Sequence, residues 1–251
     1  MFYIIPDISD ISKTIELTTK YNLGWEYNDF TLPDVYDKQD SIDAIIDFYL
    51  KIDRDRSMDT MHGAFLGLDI TATDTVIRER SRNLIEQSVS IANRLGIKGV
   101  VFHTGLVGGL RLKYYIDAWV NNACTFYTRL CSEYPDVTIY IENSFEQEPD
   151  ALIQLMERMV SVKNFKICFD YAHAILTKTP IEIWCEKLAP YIGHMHLNDN
   201  DLVDDLHLAP GKGKIDFDEW KRLMEKYHID TSVLIELKGY EEEKQALEFL
   251  L

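Results

Sequence analysis

Apolar residues along this chain follow two alternating patterns. Short runs rich in β-branched and aromatic residues are separated by longer stretches in which apolar positions recur at helical spacing. The short runs predict strands at Phe2–Ile5, Gly24–Tyr27, Asp59–Ala64, Gly99–His103, Val137–Glu142, Phe165–Asp170, Ile192–Leu197 and Ser232–Glu236. The clearest helix runs from Thr73 to Leu95, where Val76, Ile77, Leu84, Ile85, Val89, Ile91, Ala92 and Leu95 share a face. Gly96 stops it, and Asp74 or Thr73 caps its start. Further helices are predicted from about Leu112 to Tyr134, ended by Pro135, and from Phe217 to Tyr227. Strands alternating with helices in this number are the signature of an α/β fold of the (β/α)8 TIM-barrel type, one domain over residues 1–251. A doubly wound open sheet is the competing arrangement.

The polar residues that interrupt this pattern favour the barrel. His103, Glu142, Asp170, His196 and Glu236 each fall at or near the C-terminal end of a different predicted strand. In a barrel those ends converge on one face; in an open sheet they spread too far apart to share an ion. Glu142 follows Val137-Thr138-Ile139-Tyr140-Ile141, and Glu236 follows Val233-Leu234-Ile235. An ionised carboxylate in such surroundings needs a partner, either a metal ion or an Arg or Lys such as Lys238. Asp170 ends Phe165–Phe169 with His173 three residues on, and reads as a ligand or as a helix cap. His194 and His196 are two apart and so face one side of a strand. Asp205-Leu206-His207 precedes Pro210-Gly211-Lys212-Gly213, a glycine loop able to approach a ligand closely but not a dinucleotide fingerprint. His62 and His103 end the third and fourth strands, and His228 reads as a surface residue of a helix. Imidazole and carboxylate in this number, delivered at strand ends, point to a divalent-metal enzyme.

Composition narrows the substrate. The formal net charge is −16, against the grain of a polyanion-binding protein and so against nucleic acid. No apolar run is long enough for a transmembrane helix. The N-terminus Met1–Asp7 has no basic region or small-residue cleavage site, and the four cysteines form no CxxC pair. A cytoplasmic protein with free thiols is expected. Tyr114, Tyr115 and Trp119 suit either internal packing or a homo-oligomer interface.

Ile141-Glu142-Asn143, Cys168-Phe169-Asp170-Tyr171-Ala172-His173, His194-Met195-His196-Leu197-Asn198-Asp199, and Asp205-Leu206-His207 before Gly211-Lys212-Gly213 resemble, in this order, the xylose isomerase-like barrel superfamily. That superfamily joins sugar isomerases and epimerases with apurinic-site nucleases of the endonuclease IV type. By resemblance to the epimerases, Glu142, Asp170, His196 and Glu236 hold one divalent ion (manganese, zinc, cobalt or magnesium). Glu142 and Glu236 then exchange a proton with the substrate through an enediolate, and His173 contacts the sugar. His207 and Lys212 are expected to bind substrate too, Lys212 meeting a phosphate or carboxylate from a mobile loop. By resemblance to the nucleases, the same residues hold one of up to three zinc ions. His62, His103 and Glu142 hold a second, and His173, Asp205 and His207 a third. Two features depart from the nucleases: Phe65 stands where they usually carry Tyr, and Lys212 where they usually carry an acidic residue. The resemblance therefore implies first an isomerase or epimerase of a sugar, sugar phosphate or polyol. A multi-zinc phosphoester hydrolase is the alternative, and a barrel that binds sugar or metal without turnover is a third.

Overall fold

The computed structural model describes residues 1–251. Its strands are β1 (Phe2–Ile4), β2 (Gly24–Tyr27), β3 (Thr60–His62), β4 (Gly99–His103), β5 (Thr138–Glu142), β6 (Phe165–Asp170), β7 (Ile192–Leu197) and β8 (Ser232–Ile235). They follow one another in chain order around a closed barrel, the (β/α)8 arrangement. The helices are α1 (Ile11–Tyr21), α2 (Gln39–Leu50), α3 (Thr75–Leu95), α4 (Lys113–Glu133), α5 (Asp150–Arg158), α6 (Tyr171–Ile175), α7 (Ile181–Leu188), α8 (Phe217–Lys226) and α9 (Tyr240–Leu250).

By internal contacts the chain forms two compact units. The first comprises Met1–Glu26, Asn143–Pro149 and Ile167–Leu251. Within it β1 pairs in parallel with β2 and β8, and β7 with β6 and β8. The register sets Asp170 beside His196, and Leu197 beside Ile235. Glu236 adds one more rung, its N–H donating to the Leu197 carbonyl at 3.0 Å. The second unit comprises Tyr27–Glu142 and Asp150–Lys166. Here β4 pairs with β3 and β5, which sets His103 beside Glu142.

The strands are near-continuous apolar runs because parallel sheets are covered on both faces. Val100, Val101, Phe102, Ile139, Ile141, Ile167, Phe169 and Met195 are all buried. Helix α3 covers its unit with Leu84, Ile85, Val89, Ile91, Ala92 and Leu95. Asp74 caps it, accepting from the N–H groups of Val76 and Ile77, and Gly96 closes it in the left-handed conformation at φ 75°. Val76 and Ile77, expected on its apolar stripe, are exposed: the buried stripe begins only at Ser81. His228 also departs from expectation. It lies beyond the end of α8 with φ 53°, outside the helix, and is exposed. All four cysteines are free thiols, and no helix is long and apolar enough to cross a membrane.

Candidate metal centre

His62, His103, Glu142, Asp170, His196 and Glu236 sit at or next to the ends of their strands, whereas His173 lies in α6 and Asp205 and His207 in the connection after β7. In the second unit the chain leaves β3 at His62, β4 at His103 and β5 at Glu142. The Nε2 atoms of His62 and His103 each lie 3.4 Å from Glu142 Oε2. That is longer than an ordinary hydrogen bond between nitrogen and oxygen. It matches the roughly 3.3 Å that separates two ligands bonded at about 2.0–2.1 Å to one tetrahedral zinc ion. His62 Nδ1–H donates to the Gly63 carbonyl at 2.9 Å, which leaves its Nε2 lone pair aimed at the carboxylate. Phe65 covers the pair, its ring centroid 4.4 Å from that of His103 and 5.2 Å from that of His62.

The first unit holds two more clusters. In one, His173, Asp205 and His207 each offer a donor atom within 4.8 Å of the others. Asp205 Oδ2 lies 3.2 Å from His173 Nε2 and 3.1 Å from His207 Nε2. Both imidazoles are oriented from behind by the backbone. His173 Nδ1–H donates to the Asn143 carbonyl at 2.9 Å, and His207 Nδ1–H to the Glu236 carbonyl at 3.2 Å. Burial raises the Asp205 carboxyl, but hydrogen bonds and charge from the two histidines outweigh it and hold the group well below the usual carboxylate range. Burial opposes protonation of His207, yet the Asp205 hydrogen bond and the charges of Glu236, Asp205 and Asp170 push it up to about 9. In the absence of an ion, a proton there serves as counter-charge.

The other cluster is Asp170, His196 and Glu236, whose donor atoms also lie within 4.8 Å of one another. Asp170 takes the helix-cap role, and its second oxygen faces the cluster. Its Oδ1 caps α6 by accepting from the His173 N–H at 2.6 Å, and its Oδ2 faces His173 Nδ1 at 3.4 Å. Asn143 clamps the same backbone, bonding both the N–H and the carbonyl of Asp170. His196 Nδ1 faces Glu236 Oε2 at 3.5 Å. Mixed imidazole and carboxylate donors of this kind suit zinc, manganese, cobalt or magnesium, so each cluster fits a divalent ion by its chemistry.

Lys212 does not join these clusters. It is exposed, and its side chain makes no hydrogen bond or ion pair. Its loop, expected to be mobile, is tied to a buried carboxylate. Asp199 accepts from the N–H groups of Asn200, Gly211, Gly213 and Ile215 at 2.7–3.0 Å. Gly213 is required there, because a Cβ would meet the Asn200 carbonyl oxygen at 2.3 Å.

One functional candidate escaped the sequence reading. Glu26, wholly buried in β2, accepts a hydrogen bond from His194 Nε2 at 3.1 Å, and its other oxygen lies 3.1 Å from His196 Nε2 at ion-pair distance. Burial raises its carboxyl, but the two histidines outweigh that and hold it far below the usual range. Its signal was available: a lone carboxylate in Gly24-Trp25-Glu26-Tyr27 is the same anomaly that marks Glu142 and Glu236.

Residues 22–251 match the family model described as xylose isomerase-like TIM barrel, and the chain belongs to that family. Among curated proteins it is 28% identical over 201 residues to the uncharacterized protein MJ1311 of Methanocaldococcus jannaschii, covering 76% of this chain and 68% of that one. Among solved structures it is similar to the TTHB071 protein of Thermus thermophilus soaked with ZnCl2, at 24% identity and TM-score 0.78 over 99% of this chain and 96% of the other. It is also similar to a D-tagatose 3-epimerase-like protein, at 21% identity and TM-score 0.74 over 99% and 95%. At these identities the structural likeness establishes the fold.

Proposed function

We propose that the chain is a divalent-metal isomerase or epimerase acting on a sugar, sugar phosphate or polyol. The observation that carries this reading is the convergence of Asp170, His196 and Glu236 on one small volume at the ends of β6, β7 and β8. Glu142, from the end of β5, would be the fourth ligand. An ion held there would act as a Lewis acid on a substrate carbonyl and its neighbouring hydroxyl. Glu236, 14% exposed, is the set's reachable carboxylate and would pass a proton to or from the substrate carbon. Glu142 would serve as its counterpart. His173, held by the Asn143 carbonyl, and His207, held by the Glu236 carbonyl, would bind hydroxyl groups. Lys212 would meet an anionic group on the substrate. The net charge of −16 supports a small substrate over a nucleic acid. The similarity to a D-tagatose 3-epimerase-like protein agrees with this class.

The test is incubation of metal-loaded protein with a ketose and aldose panel in D2O. Deuterium should enter at the carbon next to the carbonyl as the isomer forms. Absence of exchange across the panel would defeat the proposal.

A second reading, a phosphoester hydrolase with two or three zinc ions, is favoured by the His62–Glu142–His103 cluster, which a single-ion mechanism does not use. It predicts two or three zinc ions per chain by elemental mass spectrometry and cleavage of bis(p-nitrophenyl) phosphate or of an abasic duplex. About one ion per chain and no cleavage would exclude it.

A further inference from the structure

His196 differs from the other candidate ligands in how its ring is held. His62, His173 and His207 each give Nδ1–H to a backbone carbonyl and present Nε2. His196 is reversed: its Nε2 meets Glu26 Oε1 at 3.1 Å, and its Nδ1 faces Glu236. The other oxygen of Glu26 meets His194 Nε2 at 3.1 Å, and His194 Nδ1 meets the Ser232 hydroxyl at 2.6 Å. Glu26, His194 and His196 are each fully buried. The Ser232 O–H donates to His194 Nδ1 and His194 Nε2–H donates to Glu26. A bare Nε2 on His196, 3.1 Å from the other carboxylate oxygen, would set lone pair against lone pair, so the proton belongs on Nε2. The lone pair of His196 is thereby confined to Nδ1, the atom aimed at the cluster. Both ring nitrogens of His194 are engaged in hydrogen bonds, whereas His196 Nε2 meets Glu26 at ion-pair distance, 3.1 Å.

We propose that Glu26 is a positioning residue for the metal centre: anchored by His194 and Ser232, it fixes His196 as the Nε2–H tautomer and makes Nδ1 the ligand. A carboxylate behind a ligating imidazole orients the ring and raises its basicity, and loss of such a partner weakens metal affinity. This role rests on the reading of Asp170, His196 and Glu236 as a metal site, and the experiment separates the two.

Zinc affinity is measured by competition with a chromophoric chelator for wild type and Glu26→Gln, with circular dichroism confirming the fold. Gln preserves shape but removes the charge, so a purely space-filling role would leave affinity unchanged. Weakening of roughly 10–100-fold is expected. Equal affinity in the two proteins would overturn the role of Glu26 alone. Absence of zinc binding by wild type would overturn the metal-site reading and this role with it. Long-range 1H–15N NMR of the metal-free wild-type protein gives a second readout independent of whether the variant folds. His196 should be protonated at Nε2 and bare at Nδ1; the opposite tautomer would refute the proposal.

Discussion

A single carboxylate in an apolar strand is the unit from which this site is built. Glu26, Glu142 and Glu236 repeat the device: Glu26 is met by His194 and His196 at 3.1 Å, whereas His62 and His103 stand 3.4 Å from Glu142 and His196 3.5 Å from Glu236, beyond an ordinary hydrogen bond. Glu142→Gln keeps the shape and removes the base, so turnover on the true substrate should fall by about 10²–10⁴-fold with circular dichroism unchanged. Wild-type turnover in that variant would remove Glu142 from the mechanism. Glu243 is a different case. It is buried on α9 and accepts from the Ile5 N–H at 3.1 Å. Burial pushes its carboxyl up to about 8, against the Ile5 hydrogen bond and with help from Asp7 and Glu242. Between the ordinary value of 4.5 and about 8, the folded chain keeps a proton that the unfolded chain has released. Its contribution to stability is therefore full below that window and is lost as pH rises through it. Glu243→Gln should flatten the decline of the urea midpoint between about pH 5 and pH 8. An unchanged profile would show that Glu243 is ionised in the fold.

At the scale of elements, strand ends and loops divide the work. Strand termini supply His62, His103, Glu142, Asp170 and, one rung on, Glu236. The long connection after β7 supplies Asp205, His207 and Lys212, and its shape depends on Asp199. Four N–H donors on one buried carboxylate are charge-assisted bonds, each worth about 1.5–3 kcal/mol in favourable cases. Asp199→Ala should lower the melting temperature and open the 200–215 segment to limited proteolysis, with cleavage sites read by mass spectrometry. Cleavage at the wild-type rate would mean that the loop is held by other contacts. The strand pattern was legible because the short apolar runs end in polar residues. Four of the eight strands match their predicted bounds, and the others are shorter by one to three residues. The first turn of α3 was not legible, because periodicity records which residues share a face but not where along the helix that face becomes covered.

For the whole molecule, the clusters concentrate negative charge in a chain already at −16. A divalent ion that binds the folded state alone should stabilise it by about 2.7 kcal/mol at a hundredfold excess over its dissociation constant. For a chain of this size that is a rise of roughly 5–10 °C in melting temperature, reversed by EDTA. A melting curve indifferent to zinc, manganese and EDTA would count against every cluster. The same net charge predicts no measurable association with duplex DNA at physiological salt by fluorescence anisotropy; tight, salt-sensitive binding would favour the hydrolase reading.

The sequence alone determined the order of strands and helices and the carriers of chemistry at the strand ends, because hydrophobic periodicity and a stranded carboxylate are local signals. It also carried enough of the family's motifs to name the superfamily. Through that resemblance it also proposed which donors belong together, while only the tertiary structure decided which nitrogen of each histidine faces its cluster. The pairing of Glu26 with His194 and His196 spans 168 residues for the first contact, and no local pattern encodes it. The loop of Lys212 makes the same point: its glycines suggested mobility, yet Asp199 sets its path through backbone bonds from Gly211 and Gly213. Ring orientation and loop path depend on partners far away in the chain, and those partners meet only once the barrel has closed.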